Sequence, residues 1–347
     1  MYSESDIDGA VAAGALSPEQ ARQFRAHVSA IRAGPLVDEE SFRLLTGFND
    51  IFVSIAIALL LAAVAQIGAW VAGGDAQAAG GGVAVAGTAW LLAEYFTAKR
   101  RMALPSILLL LAFVGGAAAT AVGTVMALGF EDLGKTAAAL VAAAVALIAA
   151  GAAWVHWRRF HVPITVAAGV VAAAGVALGL FVAAVPAAEN AIWPLVLVAG
   201  LGVFALAMRW DLSDRERRTR RSDVAFWLHL AAAPMIAHSI FQMLGVNEGR
   251  VGGGVGAAVL ALYVLFAIVA LAVDRRALLV SGLVYVLTAL FSLFREAGAV
   301  ELGWALTAFI IGSALLTLSA FWHPMRRAVV ARLGGWGERL PPVAMAG

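Results

Sequence analysis

From Ile51 onward the chain repeats one pattern. Unbroken apolar runs of about 18 to 24 residues alternate with short polar segments, and each run is long enough to cross a hydrocarbon core about 30 Å thick. Ten such runs are legible: Ile51–Val71, Gly80–Thr97, Leu104–Leu128, Thr136–Val155, Val162–Val185, Ala191–Met208, Val224–Leu244, Val251–Val273, Ala277–Phe294 and Leu302–Phe321. The second is the weakest, because Gly80, Gly81 and Gly82 open it and Glu94 sits near its end. The pattern predicts an all-α fold, a polytopic membrane helix bundle of about ten transmembrane helices.

Residues 1–50 follow a different rule, polar with apolar positions at helical spacing. They lack the basic start, short apolar core and small-residue cleavage site of a secretory signal. Ser17-Pro18-Glu19-Gln20 reads as a helix start, with Ser17 as N-cap, Pro18 in the first turn and Gln20 closing a capping box. A helix is expected from Pro18 to about Ala33, preceded by a shorter one over Asp6–Ala13 that ends at Gly14. Ile7, Val11, Leu16, Phe24, Val28 and Ile31 are the positions available to pack the two. A hairpin this small needs support from the membrane domain, a second copy or a partner. The organisation read here is a cytoplasmic hairpin and linker over 1–50, a membrane domain over 51–322 and a cytoplasmic or interfacial tail over 323–347.

Composition agrees with the pattern: 62% of residues are hydrophobic and 13% charged, against about 25% charged in soluble domains. The net charge of +2 comes from short arginine blocks between apolar runs, not from a continuous basic face, which excludes nucleic acid as the main partner. With no cysteine, the chain has no disulfide, thiolate chemistry or Cys-ligated metal. The basic residues also orient the chain. With ten spans, 21 of the 24 Lys and Arg fall on the side of the termini, leaving only Lys135, Arg250 and Arg295 opposite. The positive-inside rule then places both termini in the cytoplasm of a bacterial inner membrane. Trp70, Trp193 and Trp304 near the outer ends, and Trp154, Trp157, Trp210, Trp227 and Trp322 near the inner ends, read as interfacial anchors. Basic clusters close successive helix pairs about every 58 residues, a rhythm that either a repeat of five hairpins or alternating topology alone produces. A five-plus-five inverted repeat also fits.

Ionisable residues inside a membrane mark function unless something else explains them. Glu94 is expected to snorkel toward Lys99, Arg100 and Arg101, with a proton or cation site as the other reading. The seventh span stands out. It carries His229 and His238, with Asp223 and Trp227 at its start, Pro234 near its centre, and Ser239 and Gln242 toward its outer end. Pro234 removes a backbone donor, which predicts a kink and a freed carbonyl on Leu230. Trp227, Pro234, His238 and Gln242 fall within about 80° on one face, and His229 points elsewhere. Trp227, Leu230, Pro234, His238 and Gln242 therefore form a candidate polar intramembrane site, with Glu94, His229, Tyr285 and Ser292 as secondary candidates. The competing reading is that His238 and Gln242 simply bond to the ninth span, where Ser281, Tyr285, Thr288 and Ser292 share a face. Gly175 with Gly179, Gly252 with Gly256, and Gly115, Ala119 and Gly123 read as close-packing seams.

No phosphate loop, zinc helix, nucleophile elbow or aspartate cluster is present in the sequence, so no catalytic residue, cofactor or metal is predicted. The Arg209–Asp223 loop suits anionic lipid and sets topology, and the basic Met325–Leu333 segment suits the membrane surface.

The stretch Gly14-Ala15-Leu16-Ser17-Pro18-Glu19-Gln20-Ala21 ahead of an all-helical membrane domain, with Arg221-Ser222-Asp223-Val224-Ala225-Phe226-Trp227-Leu228-His229-Leu230 further on, resembles bacterial predicted membrane proteins of unknown function. That resemblance implies architecture and no activity. Two functional classes stand. A permease or lipid-handling transporter would move a neutral or amphipathic substrate past the seventh span. A scaffold, assembly or regulatory protein would bind a protein partner, or a second copy, through its hairpin and arginine-rich loop. An intramembrane enzyme is a third reading without a recognisable constellation.

Overall fold

The computed structural model describes residues 4–24, 48–129, 133–215, 217, 219–245, 253–298 and 301–341. Two compact units make up the chain, and the described parts of the two are 4–24 and those within 48–341.

In the first unit, α1 (Glu4–Ala12) gives way to a turn at Gly14, whose φ of 71° is open to glycine at little cost. Helix α2 covers 18–24. Its start is the expected capping box: Gln20 N–H donates to Ser17 Oγ at 3.1 Å, and Ser17 N–H donates to Gln20 Oε1 at 2.9 Å. The expected end near Ala33, with Val28 and Ile31, lies outside the described residues.

The second unit contains ten helices long and apolar enough to cross a membrane, and no strand among the described residues. They are α3 (Phe48–Ala72), α4 (Gln77–Ala93), α5 (Ala103–Ala127), α6 (Lys135–Phe160), α7 (Ile164–Ala184), α8 (Ile192–Ser213), α9 (Arg220–Met243), α10 (Gly253–Val273), α11 (Ala277–Glu296) and α12 (Gly303–Ala320). A last helix, α13 (Trp322–Arg332), follows. The chain is a multi-pass membrane protein, and its seventh and ninth spans are α9 and α11.

Several helices run further than the apolar pattern indicates. Helix α4 continues through a π-helical turn at Glu94–Lys99, α6 reaches Phe160, and α8 reaches Ser213. The 209–223 segment is thus largely helical, and among its described residues only 214, 215, 217 and 219 lie outside the helices. The connection is tied by Asp214, whose Oδ2 accepts from Thr219 N–H at 2.9 Å and from its hydroxyl at 2.6 Å. Thr219 Oγ1 in turn accepts from Arg221 N–H at 3.2 Å and caps α9.

Four closely packed helix pairs, α4 with α5, α6 with α7, α8 with α9, and α10 with α11, are joined at the arginine-bearing end, and α3 also packs closely on α4. The α3–α4 pair follows the charge rhythm, and the other four are out of phase with it by one helix. The four described non-glycine residues of positive φ, Arg101, His161, Arg217 and Asp274, fall in these same four connections, with φ between 52° and 60°. Each lets a helix end abruptly in the left-handed region, so that the next helix turns straight back.

Within the pairs, small residues set the spacing. A Cβ on Gly82 would lie 2.5 Å from Thr120 N, one on Gly116 2.8 Å from Ala86 N, and one on Gly123 2.2 Å from Ala79 N. The seam on α5 is thus Gly116, Thr120 and Gly123; Gly115 and Ala119 face outward, one residue off the expected register. Gly179 meets Ala143, Gly175 meets Ala146, and Gly256 meets Leu293, while Gly252 lies outside the described residues.

Candidate functional site

Helix α9 is the best-covered span, with half of its apolar window buried against 33% or less in each of the others. Its neighbours are α7, α8 and α11. The two histidines of α9 are nine residues apart and therefore about 14 Å apart along the axis, and each belongs to a separate polar group.

Near the arginine-bearing end, His229 Nε2 lies 2.9 Å from Asp211 Oδ2 on α8. Arg275, between α10 and α11, grips the same carboxylate with both arms of its fork: Nε donates to Oδ2 at 3.1 Å and Nη2 donates to Oδ1. Arg275 Nη2 also reaches the Ser222 carbonyl at 3.4 Å. Asp211, His229 and Arg275 are 1%, 0% and 3% exposed, so this is a buried Asp–His–Arg group with no competing solvent. Phe204 packs edge-on against the His229 ring at 5.1 Å. His229 Nδ1 has no hydrogen-bond partner among the described residues.

Asp274, the residue before Arg275, centres a second group. Its Oδ2 accepts from Arg217 Nη1 at 2.8 Å, its Oδ1 accepts from Trp322 Nε1 at 2.8 Å, and Arg326 Nε stands 3.5 Å from Oδ1. Arg326 is fully buried and donates through Nη2 to the Pro341 carbonyl at 2.7 Å. Arg276 lies over the Trp322 ring at 4.8 Å. Two adjacent residues of one tight connection thus pin α8 and α9 on one side and α13 on the other.

These groups amend the sequence reading at several points. Arg217, Arg275 and Arg326 are buried in ion pairs and do not face lipid headgroups, and Trp322, expected as an anchor, is 2% exposed and bonded to Asp274. Helix α13, expected on the membrane surface, has both Trp322 and Arg326 buried. Asp211 follows the apolar run of the sixth span, where the sequence predicts a loop, and His229, on the opposite face from the expected site, anchors the principal buried group.

The candidate site around Pro234 divides. His238 Nδ1 is hydrogen-bonded to Tyr285 Oη on α11, and Gln242 Nε2 lies 3.2 Å from His238 Nε2. Trp193 of α8 stands edge-on to His238 at 5.0 Å, and Tyr285 stacks on Phe241 at 4.2 Å. Pro234 lies on the exposed side of α9, and the helix runs unbroken through it, past the Leu230 carbonyl that proline leaves without its usual donor. Trp227 packs in the apolar cluster around Ala167, Val203 and Leu228, away from His238. Of the four polar positions on the ninth span, Tyr285 is the one that bonds His238; Thr288 Oγ1 donates back to the Val284 carbonyl at 2.9 Å, and Ser281 and Ser292 are half-buried.

Glu94 pairs with Arg159 at the end of α6, accepting from Nε at 2.9 Å and from Nη2 at 2.5 Å, and not with the Lys99–Arg101 cluster five residues on. A cavity of about 470 Å³ opens beside the π turn, lined by Asn49, Asp50, Val53, Tyr95, Phe96, Arg100 and Met102. His156 of α6 is also fully buried, 3.4 Å from Thr165 Oγ1 and boxed by Trp90, Phe113 and Phe160. The span pattern stopped one residue short of it.

Compared with family models, with curated proteins and with solved structures, the chain matches none.

Proposed function

We infer that this chain is a permease-class transport protein of a bacterial cytoplasmic membrane, both termini cytoplasmic, whose working part is α8–α13 and whose substrate is neutral or amphipathic. The reading rests on one observation: the best-covered span, α9, carries a buried ionisable group, Asp211–His229–Arg275, at one end, and His238 with Gln242, Tyr285 and Trp193 toward the other. Ionisable groups sealed inside a membrane bundle mark substrate or ion pathways. The stretch of α9 between the two groups, Leu230–Ala237, is apolar throughout, which suits a substrate without fixed charge. The 21-to-3 split of basic residues supports the orientation and puts the Asp211 group at the cytoplasmic mouth. A C-terminal reporter is then active in the cytoplasm.

The experiment uses the purified full chain. Melting is followed in detergent against a panel of neutral and zwitterionic amphiphiles, and each compound that raises the melting temperature is tested for uptake into proteoliposomes. Transport predicts at least one compound that both stabilises the protein and enters only protein-containing vesicles. The competing scaffold reading predicts no such compound, and loss of a co-purifying partner when residues 1–45 are deleted while the membrane domain still inserts.

A further inference from the structure

We propose that His229 is a proton-binding site and that protonation at its Nδ1 opens the arginine-bearing end of the bundle by displacing Arg275 from Asp211. The inference deepens the transport reading by naming a proton as the ligand that drives the conformational change.

Asp211 is held by the Arg275 fork, so its carboxylate charge is already matched. A neutral His229 donates Nε2–H to Asp211 Oδ2, and its other nitrogen, Nδ1, then carries a lone pair that meets no donor among the described residues. The ring is fully buried and faces Phe204. The neutral ring leaves only a lone pair unmet, whereas the imidazolium leaves a buried N–H donor and a charge unmet, the costlier of the two. A proton arriving from water forms one new N–H bond at Nδ1, creating a buried donor with no acceptor and a second cation on a carboxylate that already holds one.

The charged groups around the ring come from several elements at this end of the bundle, and the arginines among them sharpen that conflict. From α8 comes Asp211; from the α10–α11 connection come Arg275 and Asp274; from the α8–α9 connection comes Arg217; through Asp274, α13 brings Arg326. Helix α9 itself adds Asp223 near its start, and α10 adds Tyr263, whose hydroxyl is buried without a partner among the described residues. With Asp223 the three arginines meet three aspartates, so the surroundings are balanced for a neutral ring and a proton adds one unmatched charge. A conformation that separates Arg275 from Asp211 and lets Nδ1–H reach water binds the proton more tightly than this one. By linkage, acid shifts the population toward it. The hinge for that movement is the 274–276 connection, since both groups attach to it through consecutive residues.

The natural absence of cysteine allows a direct test. Ala225→Cys places a thiol on the buried face of α9 one turn before His229, and Leu212→Cys places one on exposed surface as a control for thiol ionisation. The rates of N-ethylmaleimide labelling are compared between pH 8 and pH 5.5 in nanodiscs, with no substrate present. The Ala225→Cys rate relative to the control is expected to rise about tenfold on acidification, as for a state that binds the proton ten times more tightly. The same ratio stays flat with His229→Gln, which keeps a donor to Asp211 and cannot take the proton. A pH-independent ratio, or an equal rise in the His229→Gln chain, overturns the proposal. Should His229→Gln fail to fold, spectra of ¹⁵N-histidine protein decide, because one of its six histidines must gain its second proton in step with the labelling. A histidine set with no member titrating in that window overturns it equally. A negative uptake screen leaves this result untouched, so the proton site and the transport reading fail separately.

Discussion

Helices α3–α7 approach one another at glycine and alanine around an apolar cluster of Ile57, Leu61 and Leu109, and helices α8–α13 add buried ion pairs to their apolar core. In the first group, Gly68 and Gly80, Gly82 and Gly116, Gly123 and Ala79, and Gly179 and Ala143 bring backbones into contact. That packing is achieved by atoms that are absent, so it is rigid in spacing and has little chemistry beyond His156 and the peripheral Glu94–Arg159 pair. The second group spends its interior on Asp211, His229, Arg275, Asp274, Arg217, Arg326, Trp322 and His238. A buried ion pair stabilises little compared with an apolar core of equal volume, yet loss of one partner is severe. Such contacts have two distinct states, joined or broken, where glycine seams have one. On the proposed opening at the Asp211 group, α3–α7 would be the fixed frame and α8–α13 the part that moves.

The largest effect expected follows from that asymmetry. Asp211→Ala leaves Arg275 buried without its carboxylate and removes the partner of His229, so the melting curve in detergent should show a loss of about 3–5 kcal/mol. Replacing both partners, Asp211→Leu with Arg275→Met, should recover most of it, because no unmatched charge remains. A double variant as unstable as the single one would break the comparison, since the group would then be cohesive in itself.

The scaffold half is broken by adding atoms. Gly123→Ala places a methyl group 2.2 Å from Ala79 N, a position that no side-chain rotation relieves. The α4–α5 pair must separate, at a cost of about 1–3 kcal/mol. Gly115→Ala, about two turns back on the open face, meets nothing within 4 Å and should melt with the parent chain. Equal losses in the two would mean that the seam is not what sets the spacing.

The two halves also differ in how far the sequence reveals them. Ten spans are legible because apolar length is a one-dimensional property, and the Ser17 capping box is legible because its partners are three residues apart. Glycine seams were found in kind but shifted by one residue on α5, since a sequence without a partner helix does not say which face is covered. The buried groups were missed for a related reason. Asp211, Arg217, Arg275 and Arg326 all lie where a span meets polar sequence, and there hydropathy assigns charge to water by default. Only folding brings Asp211 and Arg275, 64 residues apart, onto one carboxylate–guanidinium contact. One signal was available: Asp274-Arg275-Arg276 sets an acid beside the basic pair that closes α10.

His238 separates glue from site within the second half. Its bonds to Tyr285 and Gln242 should contribute about 0.6–2 kcal/mol, which His238→Leu removes. If the polar group also touches substrate, the variant loses uptake at unchanged expression by more than its stability loss explains. If uptake survives at equal protein level, the outer end of α9 is held by His238 and used by nothing else, and the working part contracts to the Asp211 group.

Glu94→Gln sharpens the contrast with Asp211. The Glu94–Arg159 pair matches the Asp211–Arg275 pair in form, two arms on one carboxylate, but its side chains are 34% and 52% exposed where those of Asp211 and Arg275 are 0% and 3%. Solvent screens it, so the variant should lose no more than about 1 kcal/mol of stability. A loss comparable to that of Asp211→Ala would show that geometry, not burial, governs both pairs.

The smallest effect concerns the turns that both halves share. His161 ends α6 at φ 54°, in the left-handed region where a side chain is strained, and its ring lies 5.5 Å from that of Trp157. Glycine removes the strain while giving up that ring contact and adding freedom to the unfolded chain. The strain term is the larger of these, because a non-glycine residue in this region costs of order 1–2 kcal/mol. His161→Gly should therefore raise the melting temperature slightly, by no more than about 1 kcal/mol of stability. Asp274→Gly is the matched test at the equivalent turn, where φ is 60° but the side chain holds Arg217 and Trp322. There the same backbone relief should be overwhelmed by the lost carboxylate. Opposite signs from one substitution at two equivalent turns would separate a connection that only reverses the chain from one that also locks it.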